Sequence, residues 1–204
     1  MAKAYVRHKD VFLNCPFDFG YKPIFNAILF TIYDLGFRAR CALEIDDSGE
    51  TRLDKITRII SECKYGVHDI SATELNPAIH LPRFNMPLEL GLFLGCKRYG
   101  PASQRKKSLL ILDREPYRYR DFISDIAGQD IHAHGADPAR AITEVRKWLS
   151  SKVASLPGGA VVQRHYTQFS DALPSMCAHS DLDHAALTYS DMTWLINSWL
   201  ASAR

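Results

Sequence analysis

The chain has 204 residues, of which 47% are hydrophobic and 24% are charged, as in a soluble globular protein with one domain and a small additional segment. Its net charge of +2, without a dominant basic tract, gives no reason to expect nucleic-acid binding. No apolar run reaches the roughly 18 residues of a membrane helix, so we expect no membrane span.

Five cysteines are scattered along the sequence without CxxC spacing. An odd number of thiols in this arrangement favours reduced cysteines over a disulfide framework or a structural zinc site. The N-terminal residues also lack the apolar core of a signal peptide. Together these features predict a cytoplasmic protein.

Strands and helices are predicted to alternate along the first part of the chain. The apolar run at residues 11–17 predicts a buried first strand, and the broad apolar stripe at 21–35 predicts a helix. Residues 37–44 alternate in polarity as an edge strand does, and residues 51–63 have one apolar helical face. A third strand is expected at residues 65–71.

The same alternation continues after the third strand. The predicted elements are a long loop at residues 72–84, a helix from Asn85, a strand at 108–113, a short helix at 117–126, a weak strand at 129–134 and a helix from Asp137 to about residue 153. A loop as long as the first of these is usually functional or mobile in a compact domain. Asn85 is a favourable helix cap, and Pro87 fits the first helical turn.

Five strands that alternate with helices predict a flavodoxin-like three-layer α/β sandwich over residues 1–155, with a parallel sheet in the order 2-1-3-4-5. The segment Leu156–Gly159 interrupts this pattern, and residues 156–204 are predicted to form a C-terminal helical appendage. Helices are expected at residues 161–169 and 188–203, with Pro174 between them.

The appendage is too small to hold a core by itself, so it is expected to pack on the main domain or on a second copy of the chain. Its strongest apolar side chains are those of Trp194, Leu195 and Trp199. We expect all three to be buried.

Ligands of flavodoxin-like sheets bind beyond the carboxyl ends of the strands, where the strand order reverses. Polar and aromatic candidates for substrate binding at this edge are Asn14, Cys15, Phe17 and Asp18 after strand 1, Asp69 and Ser71 after strand 3, Arg83 and Asn85 before the next helix, and Asp113 and Arg114 after strand 4. Carboxylates accept hydrogen bonds from ribose hydroxyls, and Arg83 or Arg114 suits a phosphate. Asp69 and Asp113 could instead cap their own loops.

Glu89 is the only charged residue in the apolar run at residues 86–95. A buried carboxylate costs several kcal/mol unless it is paired or neutral, so we expect Glu89 to have either a structural partner or a function. It could interact with the helix dipole or close a cap, as acidic residues in a first turn do. The alternative is a catalytic carboxylate at the mouth of a cleft.

Other chemistries have weaker support. Cys15 with His68 could form a thiol nucleophile, although a lone buried cysteine is usually an apolar filler. The histidines His132 and His134, and the cluster at residues 179–184, match none of the usual zinc spacings, so no metal site is predicted. Both the dinucleotide-binding GxGxxG pattern and the P-loop are absent, which argues against a dinucleotide-dependent redox enzyme and against an ATPase.

The stretch Arg83-Phe-Asn-Met-Pro-Leu-Glu-Leu-Gly-Leu-Phe-Leu-Gly95 resembles the RxNVxFELGxFxG stretch of bacterial TIR-like domains from nucleotide-signalled antiphage systems. It resembles more loosely the ExG helix of nucleoside 2-deoxyribosyltransferases. Both groups have a flavodoxin-like sheet and a helix-borne glutamate that acts on an N-glycosidic bond. The resemblance places the catalytic carboxylate on Glu89, the family's asparagine on Asn85 and the nucleotide pocket along residues 14–18.

The resemblance implies NAD as the substrate, cleaved between nicotinamide and ribose, with no separate cofactor. It also implies assembly with further copies of the chain or with a partner defence protein. The end of the first strand, Asn14-Cys-Pro-Phe-Asp18, departs from the Ser-Tyr or His-Gly form of TIR-like chains, and the C-terminal segment has no counterpart. Two alternatives therefore stay open: a nucleoside or nucleotide N-glycosidase or deoxyribosyltransferase, and a non-catalytic nucleotide-binding or assembly module.

Overall fold

The computed structural model describes residues 7–44, 47–73 and 82–203. Its sheet contains β1 (Arg7–Asn14), β2 (Arg38–Arg40), β3 (Cys63–Asp69), β4 (Ser108–Asp113) and β5 (Ile131–Ala133). The strands lie in the order β2-β1-β3-β4-β5, and every neighbouring pair is parallel. The predicted flavodoxin-like α/β fold is therefore confirmed.

Seven α-helices connect and follow these strands in the described part of the chain. They are α1 (Lys22–Asp34), α2 (Arg52–Glu62), α3 (Asn85–Tyr99), the short α4 (Ala102–Arg105), α5 (Pro138–Ser150), α6 (Gly159–His179) and α7 (Tyr189–Ala203). Two 3-10 helices, Arg118–Asp121 and Ser124–Ile126, occupy the place of the short helix predicted at residues 117–126.

Several element boundaries differ from the predicted ones for identifiable reasons. Strand β1 ends at Asn14, before Pro16, because proline cannot donate a hydrogen bond to a neighbouring strand. Helix α6 continues through Pro174, which the sequence placed between two helices. A proline inside a helix costs about 3 kcal/mol, so packing of α6 against the domain must offset that cost.

Alternate side chains of β1 face opposite sides of the sheet. Val11 and Leu13 belong to the core under α1 and α5, whereas Phe12 belongs to the core under α2 and α3. Helices therefore cover both faces, and the expected three layers are present. No helix among the described residues has the length and apolar character needed to cross a membrane.

Helices α6 and α7 pack on the outer side of α1 and make this face of the sheet two helices deep. The ring of Phe30 on α1 lies 5.1 Å from that of Phe169 and 5.6 Å from that of Trp199. Leu195 is fully buried and Trp199 is half-buried, but Trp194 is 53% exposed, so the predicted burial of Trp194 is wrong. Its side chain lies on the solvent side of α7.

Polar contacts also join the C-terminal helices to the rest of the chain. The Tyr189 hydroxyl donates to the Ala39 carbonyl over 2.8 Å, which connects α7 to β2. The imidazole of His165 lies 3.1 Å from the buried Asp34 carboxylate at the end of α1. The first contact fixes the start of α7 beside β2, and the second joins α6 to the end of α1.

Candidate functional site

A cavity of about 270 Å³ lies at the carboxyl end of β1, where the order of the strands reverses. We call it the Glu89 cavity. Its walls are formed by Cys15, Pro16, Phe17, Asp18, Arg52, Arg83, Asn85, Met86 and Glu89. Of the predicted site residues, the structure thus brings together Cys15, Phe17, Asp18, Arg83, Asn85 and Glu89.

The Glu89 side chain is 7% exposed and has no hydrogen bond or ion pair with any residue that the structure describes. Burial raises the pKa of its carboxyl group from 4.5 to about 7, although the positive charge of Arg52 acts in the opposite direction. Glu89 lies in the second turn of α3, beyond the first turn where acidic residues stabilise a helix. Among the described residues, the capping interpretation therefore has no contact to support it.

Asn14 comes directly before Cys15 of the cavity wall and fixes the start of α3. Its side-chain amide donates to the Met86 carbonyl over 2.9 Å and lies 3.1 Å from Nδ1 of His68. The His68 ring packs edge-on against Phe93 of the same helix, and burial lowers its pKa to about 3, so the imidazole is neutral. Asn14 is thus a positioning residue, and its contact with Met86 holds the helix that carries Glu89.

Charged side chains surround the mouth of the cavity. The guanidinium of Arg83 donates to Asp18 over 2.8 Å, and both side chains are about half exposed. Arg52 is the first residue of α2, which begins at this edge because Thr51 caps it. Asn85 is the first residue of α3 and makes no capping hydrogen bond, so its predicted role as a cap is wrong. Its side chain is exposed and lines the cavity.

The cavity also contains the thiol of Cys15, which is buried. Burial, and the nearby Asp69 carboxyl group, raise its pKa well above the usual range. A thiol in this state does not ionise near neutral pH and is a poor nucleophile. Moreover, it is Asn14 and not Cys15 that contacts His68. The arrangement offers no support for a cysteine nucleophile.

Asp69 lies outside the walls of the Glu89 cavity and is enclosed by structural partners. Its carboxylate accepts from the Tyr21 hydroxyl over 2.6 Å and from the Ser71 backbone N–H over 2.8 Å. Nε2 of His134 lies 2.9 Å from the same carboxylate, in an orientation that does not meet hydrogen-bond geometry. Asp69 therefore joins the turn before α1 to the segments after β3 and β5.

Asp113 has a similar structural environment at the end of β4. The guanidinium of Arg118 contacts its carboxylate and also donates to the Ile70 carbonyl over 3.0 Å and to the Ser71 carbonyl over 2.9 Å. Arg114 lies beside Glu115, at 3.2 Å. Asp69, Ser71, Asp113 and Arg114 are therefore not among the residues that line the Glu89 cavity.

Arg118 is expected to be essential for stability rather than for chemistry. Arg118→Ala leaves the fully buried Asp113 carboxylate without its cation and should lower the free energy of unfolding by about 3–5 kcal/mol. Arg120→Ala, in the same 3-10 helix but exposed over the Tyr117 ring, is the control and should change it by less than about 1 kcal/mol. Urea denaturation measures both variants, and equal effects would contradict this role.

The histidines considered as metal ligands have other partners. Nδ1 of His132 contacts the Glu144 carboxylate, and His134 lies beside Asp69. Within residues 7–44, 47–73 and 82–203, no three histidine, cysteine or carboxylate side chains are grouped as a metal ion requires. The charged groups at this edge are thus organised by ion pairs and hydrogen bonds.

The sequence interpretation missed Arg52 and Arg118, and it considered His134 only as a metal ligand. A signal existed for Arg52, because a helix that follows a parallel strand begins at the carboxyl edge of the sheet. His134 follows β5 and could have been assigned to the same edge by that rule. Arg118 had no such signal, since its contacts depend on how the chain folds back after β4.

Comparisons of the chain with protein family models, curated proteins and solved structures gave no significant match. The resemblance to TIR-like domains therefore rests on residues 83–95, and membership of that family stays a prediction.

Proposed function

We propose that this protein cleaves the N-glycosidic bond of a nucleotide, with NAD as the preferred substrate and Glu89 as the catalytic residue. The observation that carries this proposal is the Glu89 carboxyl group itself. It is 7% exposed, unpartnered among the described residues and part of the wall of a 270 Å³ cavity. A buried carboxyl group without a partner destabilises the fold, so a function is the best reason for it.

The carboxylate would act on the sugar carbon that bears the base. As the C1′–N bond breaks, its electron pair moves to the ring nitrogen, and a cationic nicotinamide leaves as the neutral base. The ribosyl cation that forms is stabilised by the negative charge of Glu89. Water then adds to C1′, and the proton it loses passes to Glu89. A pKa near 7 suits this second role, because the group both accepts and returns a proton near neutral pH.

The remaining walls of the cavity fit a phosphorylated substrate. Arg52 and Arg83 supply two guanidinium groups, which bind phosphate oxygens by paired hydrogen bonds. Asp18 can accept from a ribose hydroxyl, and the Asn85 amide can both donate and accept. These two cations favour a nucleotide over an uncharged nucleoside. The five free cysteines fit the predicted cytoplasmic location.

The test is release of base from NAD, nicotinamide mononucleotide and a panel of nucleosides and nucleotides by the purified protein. Chromatography should detect nicotinamide from NAD. Because Glu89 acts in its ionised form, kcat/KM should rise with pH through the pKa near 7 and level off above it. A cationic substrate stabilises the carboxylate, so the inflection in kcat should lie at lower pH than that in kcat/KM.

Two results would count against the proposal. If base release falls as the pH rises through 7, Glu89 acts in its protonated form, as an acid, and not as a carboxylate that stabilises a cation. No base release from any compound, with the protein both dilute and concentrated, would favour a nucleotide-binding module with the same fold.

A further inference from the structure

A second depression lies beside the Glu89 cavity, between the start of α1, the segment after β2 and the start of α7. It has a volume of about 310 Å³, and we call it the aromatic groove. The residues that matter here are Phe17, Phe19, Lys22, Phe25, Leu43 and Tyr189. Phe19 is 92% exposed and Leu43 is 43% exposed, so large apolar side chains face solvent at this place. Exposed apolar surface inside a concave site is typical of ligand binding.

The aromatic groove adjoins the Glu89 cavity. Phe17 forms part of the wall of both, and its ring meets that of Phe25 edge-on at 5.6 Å. Arg52 lines the Glu89 cavity and also a third depression, which shares Leu43 and Tyr189 with the groove. A ligand bound at Glu89 can therefore extend over Phe17 into the groove.

The Glu89 cavity and the aromatic groove differ in the polarity of their walls, as the two ends of a dinucleotide bound across them would require. The Glu89 cavity carries carboxylates and guanidinium groups, whereas the groove is mainly aromatic and aliphatic, with Lys22 at its edge. Each volume lies near or below the lower end of the roughly 300–1,000 Å³ of typical ligand sites, so a large ligand needs both. Arg52 and Arg83 on one side and Lys22 on the other provide positive charge for a pyrophosphate between them.

We propose that the aromatic groove, which includes residues of the C-terminal segment, binds the second base of a dinucleotide whose scissile riboside lies at Glu89. This inference rests on the proposed function for the identity of the first half of the ligand. Stacking on aromatic rings contributes roughly 1–3 kcal/mol of binding free energy for any base, which corresponds to about 5–150-fold in affinity. The groove thus selects dinucleotides over mononucleotides with the same scissile bond.

The test compares NAD with nicotinamide mononucleotide, which lacks the second base. The double variant Phe19→Ala, Leu43→Ala removes two exposed groove side chains whose loss should not affect folding. Calorimetry on the slowly cleaving Glu89→Gln background should show NAD binding weakened about 10-fold or more and nicotinamide mononucleotide binding unchanged. Trp194→Ala, an exposed aromatic residue of α7 outside the groove, is the control and should change neither.

Each outcome of this comparison has a defined meaning. Unchanged NAD binding, an equal loss for both ligands, or no NAD binding at all would overturn the groove assignment. The proposed function is judged separately by base release from the wild-type protein with mononucleotides and nucleosides. If the wild type releases no base but the double variant weakens NAD alone, the groove assignment stands and the proposed function fails.

Discussion

Glu89→Gln should lower the rate of base release by about 10²–10³-fold while leaving nucleotide binding nearly unchanged. Glutamine keeps the shape of the side chain but cannot stabilise a ribosyl cation by charge. Because the cation develops only as the C1′–N bond breaks, the loss falls on the transition state more than on the bound substrate. The expected result is therefore a lower kcat with a similar dissociation constant.

The same substitution should stabilise the protein at high pH. Burial raises the pKa of folded Glu89 from 4.5 to about 7, so folding favours the protonated group. Below about pH 4.5 the Glu89 carboxyl group is protonated in both the folded and the unfolded chain, so its ionisation costs no stability. Above pH 7 both are ionised, and the cost is complete, at about 1–3 kcal/mol. The gain in Tm of Glu89→Gln over wild type should thus be largest near pH 8 and shrink towards pH 5.

Glu115→Gln is the matched control, because Glu115 lies at the same edge of the sheet with an exposed side chain. It should leave both base release and the pH dependence of Tm as in the wild type. Unchanged base release by Glu89→Gln, from any compound that the wild type cleaves, would end the catalytic assignment. If the Tm of Glu89→Gln at pH 8 is lower than that of the wild type, the carboxylate has a stabilising partner.

The order of the sheet could be predicted because β1 and β4 contain short apolar runs, and because strands that alternate with helices along the chain form parallel sheets. The packing of the C-terminal helical appendage was harder to predict. Nearly all of α1 is buried because α6 and α7 cover its outer side, but in sequence this appears only as a broad apolar stripe. Likewise, Trp194 and Trp199 are five residues apart, so they point to different sides of one helix. Composition alone could not show which of the two tryptophan side chains packs against α1.

The candidate site was predictable as an edge of the sheet but not as a set of side chains. Asn14 and His68 lie on the face of the sheet that α3 covers, and so they support the helix of Glu89. Asp69 follows His68 and therefore points to the opposite face, where Tyr21 and His134 enclose it. Asp113 lies further along the sheet, with Arg118. Direction and distance together decide which polar residues can meet.

Removing α6 and α7 should abolish folding of the remaining chain. Without residues 159–204, the outer side of α1 loses its cover, including the rings of Phe169 and Trp199 over Phe30. The resulting exposed surface is apolar, and a domain of this size has only about 5–15 kcal/mol of stability to lose. We expect the truncated protein to aggregate or to unfold without a cooperative transition in calorimetry.

A point variant makes the same prediction quantitative. Phe169→Ala should lower the free energy of unfolding by about 3–5 kcal/mol, because the side chain is 1% exposed and stacked on Phe30 at 5.1 Å. Trp194→Ala, on α7 and mostly exposed, should cost no more than about 0.5 kcal/mol. If chemical denaturation gives similar values for the two variants, or if the truncated chain unfolds at the wild-type Tm, the C-terminal helices are a separate unit and not part of the core.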